Sequence, residues 1–192
     1  MSQNLTYIHP DARIGQSVTI EPFSFIDEDV IIGDGCTIGP NVTIKAGARI
    51  GNNCQIYPGA VIAGEPQDLK FQGEKSLVTI GNNCIIRECV TINRGTALDR
   101  SNTEIGAHVV LMAYTHVAHD CVIEDHVILA NAVQMAGHVH IGEYAFLGGT
   151  TAVHQFAKIG AHAMISGGSL VRKDVPPYVT AARDPLSYMG VN

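Results

Sequence analysis

The sequence predicts an all-β protein, a parallel β-helix of hexapeptide repeats with about eight coils and two inserted loops. Three observations carry this. First, Ile8, Ile14, Ile20, Ile26, Ile32, Ile38, Ile44, Ile50, Ile56 and Ile62 recur at a spacing of six without a miss. Second, Gly15, Gly33 and Gly51 recur at a spacing of 18, so three hexads make one coil. Third, the 192 residues are 46% hydrophobic but include no Trp and only 6% aromatics, which suits a thin, regular core. A helix repeats near 3.6 residues and a simple strand at 2, so a period of six requires a short strand followed by a corner.

The frame can be followed along the chain. After Ile62 it resumes at Ile80, Ile86 and Ile92. It resumes again at Ile105, Leu111, Val117, Ile123, Leu129, Met135, Ile141, Leu147, Val153, Ile159, Ile165 and Val171. Of these 25 positions 18 are Ile, so the inner row is close to uniform. Small or β-branched residues follow four places later, as at Val18, Cys36, Val42, Cys54, Cys84, Val109, Cys121 and Thr151. Removing 12 residues after Ile62 and 7 after Ile92 returns Gly81, Gly106, Gly142 and Gly160 to the glycine column, with Glu124 in the intervening slot. The insertions are expected at about 63–75 and 94–104. Eight coils and a leading hexad, at about 4.8 Å between paired strands, make a prism on the order of 40 Å long. Residues 1–178 are read as this domain and 179–192 as a C-terminal extension.

A net charge of −6 argues against a general nucleic-acid surface. No apolar run is long enough to span a bilayer, and Met1 to Pro10 lacks a signal-peptide core. A cytoplasmic location is therefore expected. Cys36, Cys54, Cys84 and Cys121 fall in the small inward slot and read as structural thiols, whereas Cys89 does not. No CxxC pair suggests a zinc ribbon or redox site.

Both insertions leave the third hexad of their coil, so they protrude from one face, one above the other. Such loops commonly mark the binding face of a solenoid. The next coils carry polar residues at the same place: Ala118-His119-Asp120, Ala136-Gly137-His138, His154-Gln155 and Arg172-Lys173. An 18-residue coil stacks Gly137 over His119 and His138 over Asp120, with His116 just before the corner. His108, His126 and His162, with Tyr144 between, form a column on another face and read as a corner stack without chemistry. Clustered His also suggests zinc, and γ-class carbonic anhydrases place zinc on hexad prisms. However, no two His here have their His-x4-His spacing, so no metal is expected. The strip suits acyl transfer to a hydroxyl. His119 is a candidate general base, Asp120 or a backbone carbonyl a means of fixing its tautomer, and the Gly137 N–H an oxyanion donor. A polar face without catalytic meaning is the competing account.

The ordered motifs His116-Val-Ala-His119-Asp120-Cys121, Ala136-Gly137-His138, Thr151-Ala-Val-His154-Gln155-Phe156, Gln67-Asp68-Leu69-Lys70 and Asp174-Val-Pro-Pro-Tyr178 resemble the UDP-N-acetylglucosamine acyltransferases of lipid A biosynthesis, from about Ile8 to Asn192. The resemblance implies a left-handed parallel β-helix, a homotrimer and an active site between subunits. It implies transfer of an (R)-3-hydroxyacyl group from acyl carrier protein to the 3-hydroxyl of UDP-N-acetylglucosamine, with no cofactor of its own. It assigns His119 as general base, Asp120 as its partner and Gly137 as the oxyanion amide. It places Asp68 and Lys70 near the sugar and phosphopantetheine. Gln67, His116, His138, His154, Gln155 and Asn192 are placed in the rest of the substrate site. Gly167 matches the position that limits acyl length, and its missing side chain suggests a longer chain. The family continues past the motif at Gly190-Val-Asn192 into a helical domain with basic residues, so 179–192 is expected to be its beginning. Without that domain, the last coil's edge needs a cap and activity is expected to be weakened.

Three alternatives stand beside this reading. One is an acetyl-CoA-dependent acetyltransferase on the same prism. Another is the sister N-acyltransferase of the pathway, which carries an extra N-terminal domain, whereas hexads here begin at Ile8. The third is a non-catalytic scaffold. Arg94 and Arg100 hold pantetheine or phosphate, or are solvated loop charges.

Overall fold

The structure is a computed structural model that describes residues 5–183 and 185–192. Its strands form three sheets wound as a parallel β-helix. The first face has eight strands from Arg13–Ile14 to Lys158–Ile159. The second face has ten, from Thr19–Ile20 through Met164–Ile165 to Val179–Ala182 and Ser187–Val191. The third has nine, from Tyr7–Ile8 to Leu170–Val171. Each coil gives one strand to each face, as the hexad frame requires.

The strands are mostly two residues long because only the frame residue and its predecessor are extended before the next corner. The frame residue points in: Ile26, Ile38, Ile44, Ile62, Ile86 and Ile92 are fully buried. Burying such a side chain contributes about 1.5–3 kcal/mol, and only the stacking of coils makes the row continuous. The second inward slot is also filled as expected, with Cys36, Val42, Cys54, Val109 and Val127 fully buried. All five cysteines are free, and Cys89 alone is exposed.

Corner residues adopt the left-handed backbone region even when they carry side chains, as at Asn53 (φ 56°), His108 (φ 59°) and Asp120 (φ 58°). Each such residue costs about 1–2 kcal/mol, offset by ladder bonds between coils. At the first-to-second corner, Asn52 Oδ1 accepts from the Asp34 N–H at 2.8 Å, and Asn82 Oδ1 accepts from the Asn52 N–H at 2.7 Å. The glycine column lies beside this ladder. A Cβ on Gly33 would sit 2.7 Å from the Gly51 carbonyl carbon. Backbone stacks directly on backbone there, which explains the 18-residue glycine spacing.

The register runs through both insertions. Val61 pairs with Thr91 and Thr91 with His116, so the register is kept across both. The second loop is shorter than the expected 94–104, because Leu77–Ile80 pairs with Asn102–Ile105 over four residues and draws 102–104 into the first face. The irregular segments are therefore 65–76 and 94–101. In the extension, Val179–Ala182 lies parallel on Met164–Ile165, and Ser187–Val191 folds back antiparallel on it. The second-face edge at Met164–Ile165 is thereby covered by a hairpin.

Candidate active site

The candidate site lies at the corner from the third face to the first, beneath the second loop. Strand His116–Val117 ends there and Val122–Ile123 begins the next face. Between them the left-handed turn at Asp120 folds its carboxylate back onto the preceding residue. His119 Nδ1 lies 2.9 Å from Asp120 Oδ2, with the two residues 8% and 2% exposed.

Asp120 is fully engaged. Its Oδ1 accepts from the Thr96 N–H at 3.0 Å. Its Oδ2 accepts from that N–H at 3.1 Å and from the Thr96 hydroxyl at 2.7 Å. Its own N–H donates to Thr103 Oγ1 at 2.9 Å. A carboxylate accepts only, so His119 Nδ1 carries the proton toward it and the Nε2 lone pair is left free. That tautomer is the one a general base needs.

One coil further on, Gly137 lies over this ring. A Cβ there would stand 2.6 Å from His119 Cε1 and 2.7 Å from Nε2. Only glycine leaves room above the basic edge. The Gly137 N–H donates to no backbone carbonyl among the described residues, whereas the neighbouring Ala136 and His138 amides do.

His138 meets His119 edge to face, with ring centroids 4.9 Å apart. Its Nδ1 is 2.6 Å from Asp99 Oδ2 on the second loop, and Phe156 stacks on its other side at 4.6 Å. His116 Nδ1 meets Thr91 Oγ1 at 2.7 Å. Burial lowers the His116 pKa, with nearby His119 adding to the effect. Burial pushes the Cys121 thiol up to about 12, so this cysteine is a poor nucleophile. Ligand atoms of His119, Asp120 and His138 lie within 4.8 Å of one another, close enough to hold a metal ion. Each is already tied to a protein partner, which competes with ligation.

The sequence-predicted residues divide into two groups. The chain brings together His116, His119, Asp120, Gly137 and His138, with exposed His154 and Gln155 one coil above. The others make no contact with His119 among the described residues. Gln67, Asp68 and Lys70 lie on the first loop, where Asp68 Oδ1 accepts from the Lys70 N–H at 3.0 Å and Leu69 is fully exposed. Gly167 lies at the second-to-third corner. Asn192 bonds the His162 carbonyl at 2.7 Å, at the first-to-second corner. Arg94 is drawn over Phe71 at 5.2 Å and lies 3.9 Å from Glu65, so it is not a solvated charge, whereas Arg100 is exposed. Sequence reasoning missed Thr91, Thr96, Asp99, Thr103 and Phe156. Two of these had a signal: Phe156 lies 18 residues beyond His138 in the same column, and Thr91 lies one coil before His116 once the second insertion is removed.

Comparison with known proteins places this corner in context. The bacterial transferase hexapeptide (six repeats) family matches residues 11–46, 29–64 and 102–137. An acyl-[acyl-carrier-protein]--UDP-N-acetylglucosamine O-acyltransferase of Thiobacillus denitrificans is 52% identical over 185 residues, covering 96% of this chain and 72% of that protein. The chain belongs to this O-acyltransferase family. The O-acyltransferase of the same name from Herminiimonas arsenicoxydans is 49% identical over 133 residues, 69% of this chain and 51% of its own length. The chain thus spans between half and three quarters of these curated O-acyltransferases. A crystal structure of a UDP-N-acetylglucosamine acyltransferase from Bacteroides fragilis superposes with a TM-score of 0.96 at 48% identity, covering 100% of this chain and 74% of that one. The fold it shares with these acyltransferases is the left-handed parallel β-helix.

Proposed function

We propose that the protein transfers an (R)-3-hydroxyacyl group from acyl carrier protein to the 3-hydroxyl of UDP-N-acetylglucosamine, the first step of lipid A biosynthesis. The observation that carries this reading is the buried His119–Asp120 pair, with Nε2 facing a glycine whose Cβ would stand only 2.7 Å from it. His119 Nε2 takes the proton from the sugar hydroxyl as its oxygen attacks the thioester carbonyl. The tetrahedral oxyanion faces the Gly137 N–H. Collapse breaks the carbon–sulfur bond, and the proton on His119 passes to the leaving pantetheine thiolate. General-base catalysis contributes roughly 10²–10⁴-fold, and one oxyanion donor about 10²–10³-fold.

His116, His138, His154 and Gln155 line the acceptor side in this reading. Gln67, Asp68, Lys70, Gly167 and Asn192 make no contact with His119 among the described residues of one chain, and in this reading their place in the substrate site is met by assembly as a homotrimer. The protruding first loop and the fully exposed Leu69 support this, because a neighbouring copy can receive them. Thioester and hydroxyl chemistry at this pair needs no cofactor or metal beyond the carrier's phosphopantetheine. Among the described residues no helix is long and apolar enough to cross a membrane. The five free cysteines support a reducing, cytoplasmic setting.

The test is one assay with matched donors. 3-Hydroxyacyl groups on acyl carrier protein are expected to be transferred to UDP-N-acetylglucosamine, and acetyl-CoA is expected to give no product. Turnover with acetyl-CoA and none with acyl carrier protein would transfer the chain to the acetyltransferase reading.

A further inference from the structure

We infer that Thr96, on the second insertion, is a positioning residue for the His119–Asp120 pair; this rests on the acyl-transfer reading above. Three of the four hydrogen bonds to the Asp120 carboxylate come from Thr96, two from its N–H and one from its hydroxyl. Among the described residues, the β-helix itself gives that carboxylate only His119. With the loop in place Asp120 is 2% exposed, and a carboxylate so buried requires the hydrogen bonds that Thr96 supplies.

Thr96 is itself 2% exposed, so it acts through Asp120 and does not touch substrate. Its carbonyl accepts from the Ser101 N–H at 3.0 Å and from the Asp99 N–H at 3.3 Å, closing the loop's own turn. That turn presents Asp99 to His138. The first loop braces it from outside, where Glu74 Oε1 accepts from the Ala97 N–H at 3.2 Å. The second insertion therefore sets the rotamer of Asp120, and through it the tautomer and aim of His119. A loop that only bound substrate would have no reason to end inside the protein on a carboxylate.

Thr96→Val and Thr96→Ala remove the hydroxyl, and Thr96→Ser keeps it. In the acyl carrier protein assay, the first two are expected to lower kcat about ten- to a hundredfold, the loss that follows from one hydrogen bond to a charged group. KM for UDP-N-acetylglucosamine is expected to stay within about twofold. Thr96→Ser is expected to restore kcat to within about threefold, since it keeps the bond. A second readout needs no turnover: the proton NMR signal of the His119 Nδ1–H bonded to Asp120. It is expected in wild type and Thr96→Ser and to be lost or broadened in Thr96→Val and Thr96→Ala. An inactive wild type whose signal still depends on the hydroxyl would sink the acyl-transfer reading and leave the positioning role standing. Variants without the hydroxyl that keep the signal, with kcat unchanged in an active enzyme, would overturn the role of Thr96.

Discussion

Two corners of this prism are built by the same rule and differ in what they can do. At the first-to-second corner, His108, His126, Tyr144, His162 and Tyr178 occupy successive left-handed positions. Their rings stack nearly parallel at 4.6–4.9 Å, the spacing of the coils. At the third-to-first corner, the equivalent positions are Asp120, His138 and Phe156. There His138 and Phe156 still stack, but the column ends on a carboxylate at Asp120; His119, one residue before it, meets His138 at an interplanar angle of 88°, and each imidazole has a carboxylate. Coil geometry alone lines up rings. The second insertion adds Thr96 and Asp99 from outside the repeat, and that converts a column of rings into a polarised pair.

The sharpest way to break this comparison is Gly137→Ala. The added methyl would stand 2.6 Å from His119 Cε1 and 2.7 Å from Nε2, so the ring must move, and with it the bond to Asp120 that aims it. Acyl transfer is expected to fall at least about a hundredfold, with the Gly137 oxyanion amide displaced as well. Asp120→Asn comes next. It keeps the shape but allows His119 the wrong tautomer, and kcat is expected to drop roughly a hundredfold or more. Steady-state kinetics with a thermal melt as control checks both.

His116 gives a smaller, pH-dependent effect. Its pKa is lowered by burial, so the folded state resists a proton that the unfolded chain accepts near pH 6.5. Stability is therefore fully present above pH 6.5 and declines as pH falls below it, until His116 protonates in the folded state. His116→Gln is expected to flatten this acid limb in melts taken at successive pH values. The smallest effect is expected at the other corner. His126→Ala removes two ring contacts, which costs on the order of 1 kcal/mol in a denaturant titration, and transfer is expected to stay within about twofold of wild type. A large activity loss there would show that the two corners are not functionally distinct.

The repeat was legible because its physics is periodic. An inward Ile every six residues and a backbone-on-backbone glycine every 18 fix strands, corners and register together. The stacking of Gly137 over His119 followed from that register alone, and so did the His108–His126–Tyr144–His162 column. Thr96 and Asp99 were not legible. They lie in an insertion without a period, and Thr96 reaches Asp120 across 24 residues along a path that the frame does not define. The strand at Asn102–Ile105 is hidden for a related reason: it alternates in burial like its partner Leu77–Ile80, but its extra inward position is the polar Thr103, which does not read as part of an apolar frame.

The central claim is that His119 is the base. It is tested most directly by turnover of 3-hydroxyacyl-acyl carrier protein and UDP-N-acetylglucosamine in wild type and His119→Ala, with the melting curves compared. The expected result is a loss of at least about a hundredfold with the fold intact. Turnover within about threefold of wild type would contradict it.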